Sequence, residues 1–114
     1  MTLIPSDLRE ELLSNGRRSA AGERIDPFPV VRLFIPGASA TWLLTELDPT
    51  NPDRAFGLCD LGVGCPELGY VLLSELEALH ASTGIEVKRD VNFQPRRTLA
   101  LAATQARKLG WIVD

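Results

Sequence analysis

The sequence contains few of the residues that usually carry metal-binding and nucleophilic chemistry, with only two cysteines and one histidine. Structural zinc sites normally use four Cys or His ligands, and Cys59 and Cys65 lack the close spacing of a zinc-binding pair. His80 lies in a predicted helix, and nothing in the sequence places it beside a nucleophile. Two cysteines also cannot build a disulfide framework. We therefore expect no metal site and no disulfide scaffold.

Long apolar runs are absent as well. The longest runs from Leu99 to Ala103, whereas a membrane-spanning helix needs about 18 or more apolar residues. The segment from Met1 to Leu13 is too charged for a secretory signal. Domains cluster near ~100 to 150 residues, so residues 1–114 are expected to form a single domain. We expect a cytoplasmic protein that does not enter a membrane.

The glycine-rich stretch Gly62-Val63-Gly64 does not resemble a phosphate-binding loop. Such loops precede a helix N-terminus and usually carry a lysine, but here Cys-Pro-Glu and a predicted strand follow. Turns explain these glycines, and no cofactor is indicated.

Charge is present, but it is distributed unevenly along the chain. The net charge is −3. Residues 1–40 balance, residues 41–81 carry seven acidic residues against Arg54 alone, and residues 82–114 carry six basic residues against three acidic ones. The acidic central block and the basic C-terminal block either neutralise each other across the fold or form interaction surfaces.

Periodicity gives the clearest structural signals. Thr41 to Asp48 alternates with period two and has apolar residues on both faces, which predicts a strand buried on both sides. Ser74 to Glu77 has the spacing of a capping box. The sequence predicts a first helix from Ser6 to a stop at Asn15-Gly16, strands over 30–35, 41–48, 55–61 and 68–73, a helix from Ser74 to about Ser82, and a last helix over Leu99–Leu109. This order predicts an α+β fold, with an antiparallel meander of four or five strands and about three helices packed on it.

The acidic segment has a predicted geometry. If residues 48–54 form a symmetrical hairpin loop, Glu46 lies opposite Phe56 and Trp42 lies opposite Asp60. The return of the chain through residues 62–67 then brings Glu67 toward Asp60. The same reasoning places Trp42, Asp60 and Glu67 at one rim of the sheet.

A family resemblance is carried by four phrases, in this order and at these spacings: PVVRLF, TWLLTELDP, AFGLCDLG and PELGYV. They resemble an uncharacterised family of small bacterial proteins, classed as a domain of unknown function and often encoded among plasmid, phage or integrative-element genes. The resemblance spans roughly Leu3 to Ile112. It implies an intracellular bacterial protein of unknown activity and assigns no site residues.

Three functional hypotheses remain open. The first is a non-enzymatic protein-interaction module using an acidic central face. The second is a carboxylate-dependent, Mg²⁺-assisted enzyme using Asp60 and Glu67. The third is a nucleic-acid-binding accessory protein using a basic C-terminal helix. We favour the interaction module over an enzyme. The candidate residues are Trp42, Glu46, Asp48, Asp60 and Glu67 for the acidic face, and Arg96, Arg97, Arg107 and Lys108 for the basic face.

Overall fold

A computed structural model describes residues 3–113 and confirms the predicted α+β class. Five antiparallel strands form one sheet in the order β4-β3-β2-β1-β5, and three helices pack on it. In chain order the elements are α1 (Ser6–Ala20), β1 (Val31–Phe34), β2 (Thr41–Asp48), β3 (Asn51–Asp60), β4 (Glu67–Leu72), α2 (Leu73–Thr83), β5 (Lys88–Arg89) and α3 (Leu99–Leu109). No helix within residues 3–113 is long and apolar enough to cross a membrane.

The central strand β2 separates two hydrophobic cores. Leu44 packs with Leu12 of α1 and Leu76 of α2 in one core. Its neighbour Leu43 packs with Leu58 of β3 and with the inner side of α3 in the other. Successive side chains of a strand point to opposite faces, so α1 and α2 cover one face of the sheet and α3 covers the other. The prediction that β2 is buried on both sides is confirmed.

The first helix continues through its predicted stop. Gly16 lies inside α1 and is buried, and a Cβ at this position would lie 1.8 Å from the Leu47 carbonyl oxygen. The side-chain amide of the preceding Asn15 donates a hydrogen bond of 2.9 Å to the Thr45 carbonyl. Asn15 and Gly16 resemble a helix stop because glycine and asparagine are common there. In this protein they bring α1 close to β2.

The β2–β3 hairpin is tighter than predicted. Its turn is limited to Pro49 and Thr50, and β3 already begins at Asn51, which pairs with Asp48. The Asp48 carboxylate accepts hydrogen bonds from the Thr50 N–H (2.9 Å) and the Thr50 hydroxyl (2.7 Å). This local bonding closes the turn, so residues predicted as loop belong to the strand.

The predicted capping box at Ser74 is also replaced by a different arrangement. Helix α2 begins one residue earlier, at Leu73, and has no side-chain cap from its own N-terminal residue. Instead Asp53 of β3 accepts hydrogen bonds from the Ser74 N–H (2.9 Å) and the Ser74 hydroxyl (2.6 Å). A carboxylate distant in sequence therefore satisfies the free donors at this helix N-terminus.

The last helix follows its prediction. α3 buries Leu99, Ala102, Ala103 and Ala106, and it ends where Gly110 adopts a left-handed conformation. Leu109, the last residue of the helix, is exposed.

Candidate functional site

Asp60 is a buried structural residue. It is 1% exposed. One carboxylate oxygen accepts a hydrogen bond from the Gly62 N–H (2.8 Å) and the other accepts one from the Ile112 N–H (3.3 Å). Both oxygens are thus occupied by backbone donors, and the carboxylate joins the loop after β3 to the segment after α3.

The predicted convergence of Asp60 and Glu67 is wrong. Glu67 pairs with Cys59, whereas Asp60 pairs with Thr41. Since paired residues share a face and successive residues alternate between faces, Asp60 and Glu67 point to opposite sides of the sheet. In the part of the chain that the structure describes, no three His, Cys, Asp or Glu side chains come together in a way that could hold a metal ion.

Trp42 lies in the hydrophobic core between the sheet and the helices α1 and α2. It is 3% exposed and pairs with Cys59, one residue away from the predicted partner Asp60. A ligand at the surface of this conformation does not reach its ring.

The two remaining acidic candidates of β2 share a concave surface. Glu46 pairs with Phe56, as predicted, and Phe56 pairs with Tyr70 of β4. Glu46, Asp48, Phe56 and Tyr70, together with Ser19 at the end of α1, line a cleft of about 220 Å³. We call this surface the acidic cleft.

Hydrogen bonds orient both carboxylates of the acidic cleft. The Ser19 hydroxyl donates a bond of 2.7 Å to Glu46. The Thr50 hydroxyl, the Thr50 N–H and the Arg54 guanidinium hold the pKa of Asp48 below its ordinary value of 3.8. Because the folded-state pKa is the lower one, this stabilisation is complete above pH 3.8 and is lost as the pH falls through the folded-state value. Asp48 therefore stays ionised at all ordinary pH values.

Two aromatic rings form the other side of the acidic cleft. The rings of Phe56 and Tyr70 have centroids 5.0 Å apart and are tilted by 59°. The Arg54 guanidinium carbon lies 3.6 Å from the centroid of the Tyr70 ring, and an Arg54 nitrogen lies 3.4 Å from the Asp48 carboxylate. One cation thus already contacts an aromatic face and a carboxylate at this place.

The sequence analysis did not single out Tyr70. Its signal is positional, because Tyr70 continues the row formed by Glu46 and Phe56 across the next strand. Placing it there requires the β3–β4 register, which depends on the conformation of the loop over residues 61–66. Gly62 and Gly64 adopt positive φ angles in that loop, and hydrophobic periodicity does not specify such a path.

The basic candidates are only partly brought together. Arg97 and Lys108 line one shallow and mainly apolar groove on α3, of about 490 Å³. Arg97 also donates a hydrogen bond of 2.6 Å to the Val113 carbonyl. Arg96 lines a separate depression with Asp90 and Asn92, and it lines a smaller one together with Arg97. Arg107 is exposed in the last turn of α3.

The two thiols differ in environment. Cys59 is half-buried in β3, and burial raises the pKa of its thiol, whereas Cys65 is exposed in the loop before β4. Both are free thiols. Cys59 packs against the hydrophobic core, as a small apolar residue does.

Comparison with known proteins gives one match. No curated protein and no solved structure matches the chain. A model of the family described as "Protein of unknown function (DUF2958)" matches residues 3–113. This match spans nearly the whole chain, so the protein belongs to the DUF2958 family of proteins of unknown function.

Proposed function

We propose that this protein is a non-enzymatic interaction module that binds a basic segment of a partner protein in the acidic cleft. The observation that carries the proposal is the convergence of two carboxylates, Glu46 and Asp48, with two aromatic rings on one concave surface. Carboxylates attract a guanidinium or ammonium group through charge, and aromatic faces attract it through their quadrupole. A lysine or arginine side chain is the ligand with matching chemistry.

Arg54 supports this choice of ligand. Its guanidinium contacts both the Tyr70 ring and the Asp48 carboxylate, and this contact supports the choice of a cation as the ligand. Cation–π contacts at exposed sites contribute about 0.5–1 kcal/mol. Binding of one side chain is therefore expected to be weak, and a partner would need additional contacts around the cleft.

Two further features favour an interaction module over a carboxylate enzyme. Asp60 uses both carboxylate oxygens to hold backbone N–H groups, and Glu67 lies across the sheet from it. We also propose a bacterial and cytoplasmic setting, on the family resemblance and on the two free thiols, which suit a reducing compartment.

The proposal is tested by titrating ¹⁵N-labelled protein with an amidated peptide that has one arginine among glycines. The reference ligand is the same peptide with citrulline, which keeps the shape and lacks the charge. We expect saturable amide shifts at Ser19, Glu46 and Phe56. The Kd should rise roughly tenfold, the equivalent of ~1.4 kcal/mol, with citrulline or with Glu46→Gln.

Glu77→Gln is the matched control, because Glu77 is an exposed carboxylate on α2 that does not line the cleft. This variant should bind the arginine peptide like the unchanged protein. Equal shifts with arginine and citrulline, or shifts centred on α2, would rule out the acidic cleft as a cation site.

A further inference from the structure

Strand β4 is an outer strand whose free edge has little protection against pairing. It pairs with β3 on one side and is the last strand of the sheet on the other. Its register with β3 is continuous from Glu67 to Leu72, without a bulge. Natural edge strands are usually protected by lysine, proline or a bulge, and the sequence ELGYVL has none of these. Its outer backbone groups are therefore able to accept another strand.

Exposed apolar side chains are concentrated on β4 and on the segments that adjoin it. Leu68 and Tyr70 occupy alternate positions of β4 and are 38% and 55% exposed. Helix α3 lies against β3 and β4, and the Gly64 carbonyl of the loop before β4 approaches Gly110 at the end of α3. Of the ten large hydrophobic side chains exposed within residues 3–113, seven belong to these segments: Leu61, Val63, Leu68, Tyr70, Leu101, Leu109 and Trp111.

A concentration of apolar surface beside an open strand is typical of an interface. A standard interface takes about 800 Å² from each partner, which is about an eighth of the 6613 Å² surface of this protein. The seven exposed side chains and the backbone of β4 are the surface available for such an interface. The edge itself carries a single charge, Glu67, so its occupant must also be mainly apolar.

We propose that the occupant is a second copy of this chain, paired antiparallel through β4 about a two-fold axis at Gly69. This inference goes beyond the proposed function, since it concerns the outer edge of β4. Tyr70 belongs to both the edge and the acidic cleft, whereas Leu68 lies outside the cleft, so Leu68→Lys tests the pairing alone. When a strand pairs with its own copy about a two-fold axis perpendicular to the sheet, the same face of both copies lies on the same side of the sheet. Each residue must therefore pair with a residue whose side chain points to that same side. The axis at Gly69 meets this condition.

This register is chemically compatible at each position. Leu68 of one copy faces Tyr70 of the other, which is a favourable aliphatic–aromatic cross-strand pair that occurs twice. Glu67 faces Val71 of the other copy, so the two carboxylates do not oppose each other. No atom outside the neighbouring residues lies within 4 Å of a Cβ built at Gly69, so the face of the strand is open at this residue. The result is a continuous ten-stranded sheet.

Sedimentation equilibrium of the full chain, from 1 µM to several hundred µM, tests the pairing. We expect the mass to rise from the 12.5 kDa of one chain toward twice this value. Leu68→Lys and Tyr70→Glu, made separately, should each raise the dimer Kd by about tenfold or more, because each buries a charge opposite an apolar side chain. The double variant Leu68→Lys/Tyr70→Glu should recover the dimer, because the register places each new cation opposite a new carboxylate.

Ile85→Lys is the matched control, because Ile85 is 43% exposed and follows α2, outside the seven-residue set. It should leave the dimer Kd unchanged, and far-UV circular dichroism should show that all variants are folded. A chain that remains monomeric at several hundred µM overturns the proposal, as does a dimer that neither single substitution weakens. A folded double variant that stays monomeric overturns the pairing about Gly69. None of these results depends on peptide binding to the acidic cleft.

Discussion

Gly16 sets how closely α1 approaches the sheet. A Cβ there would lie 1.8 Å from the Leu47 carbonyl oxygen, and backbone atoms of a central strand move less readily than a flexible side chain. In the sequence, this glycine follows an asparagine, and such a pair occurs both where helices end and inside helices. Only the position of β2 against α1 distinguishes the two cases. This position is part of the tertiary structure and cannot be predicted from the local sequence.

We predict that Gly16→Ala destabilises the protein by about 2 kcal/mol. The steric conflict costs about 3 kcal/mol, while the higher helix propensity of alanine returns about 1 kcal/mol. Urea unfolding followed by circular dichroism measures the difference. Ser14→Ala, at an exposed position of the same helix, should change the free energy of unfolding by less than about 0.5 kcal/mol. A Gly16→Ala variant that is more stable than the parent would contradict the close approach.

Among the elements, β2 and α3 have their predicted bounds, whereas α1 extends beyond its predicted stop and β3 begins before its predicted start. β2 was predicted well because alternation of apolar and polar residues depends only on local sequence and on burial. The start of α2 lies one residue from its prediction, but the predicted capping box is replaced, because the N-terminal donors are satisfied by Asp53, twenty-one residues before Ser74. When the capping residue comes from a strand distant in sequence, the residues at the start of the helix contain no short motif that predicts the cap.

Removing the Asp53 cap tests how the N-terminus of α2 is stabilised. Asp53→Ala should destabilise the protein by about 1 kcal/mol, since both hydrogen bonds to Ser74 are lost. Ser74→Ala removes only the hydroxyl bond and should cost less. If the two residues act on each other, the double variant should lose less stability than the sum of the single changes. Strict additivity in urea unfolding would show that Asp53 does not cap α2 through Ser74.

For the whole molecule, the sequence predicted the fold class and the antiparallel meander. It also predicted that Glu46 pairs with Phe56, although the turn is shorter than predicted and a register shift between Leu47 and Asp48 restores this pair. It did not predict that Tyr70 completes the acidic cleft, or that β5 returns to pair with β1. Both features depend on the paths of loops, and loop paths follow from contacts distant in sequence.

Asp60 connects the loop after β3 to the segment after α3, and this connection affects the stability of the whole molecule. Asp60→Ala should destabilise the protein by about 3 kcal/mol, since it removes a charged acceptor from the buried N–H groups of Gly62 and Ile112. Hydrogen exchange should accelerate at these two amides more than at amides of β2.

Glu67→Ala is the comparison, because Glu67 is an exposed carboxylate in the neighbouring strand. It should change stability by less than about 0.5 kcal/mol. If Asp60→Ala is equally mild, Asp60 is not the residue that holds the loop and the C-terminal segment together.

The strand order also determines how the sheet assembles. Three of its four pairings join strands that are consecutive in the chain, so the chain entropy lost in closing each loop is small. The fourth joins Leu33 to Arg89, 56 residues apart, through only two residue pairs. Contacts between neighbouring segments form at the lower cost in chain entropy, so we expect β1 to β4 to form the early part of the sheet and β5 to be added last. We expect thermal fluctuations to open the sheet at β5, while the β4 edge keeps its strand.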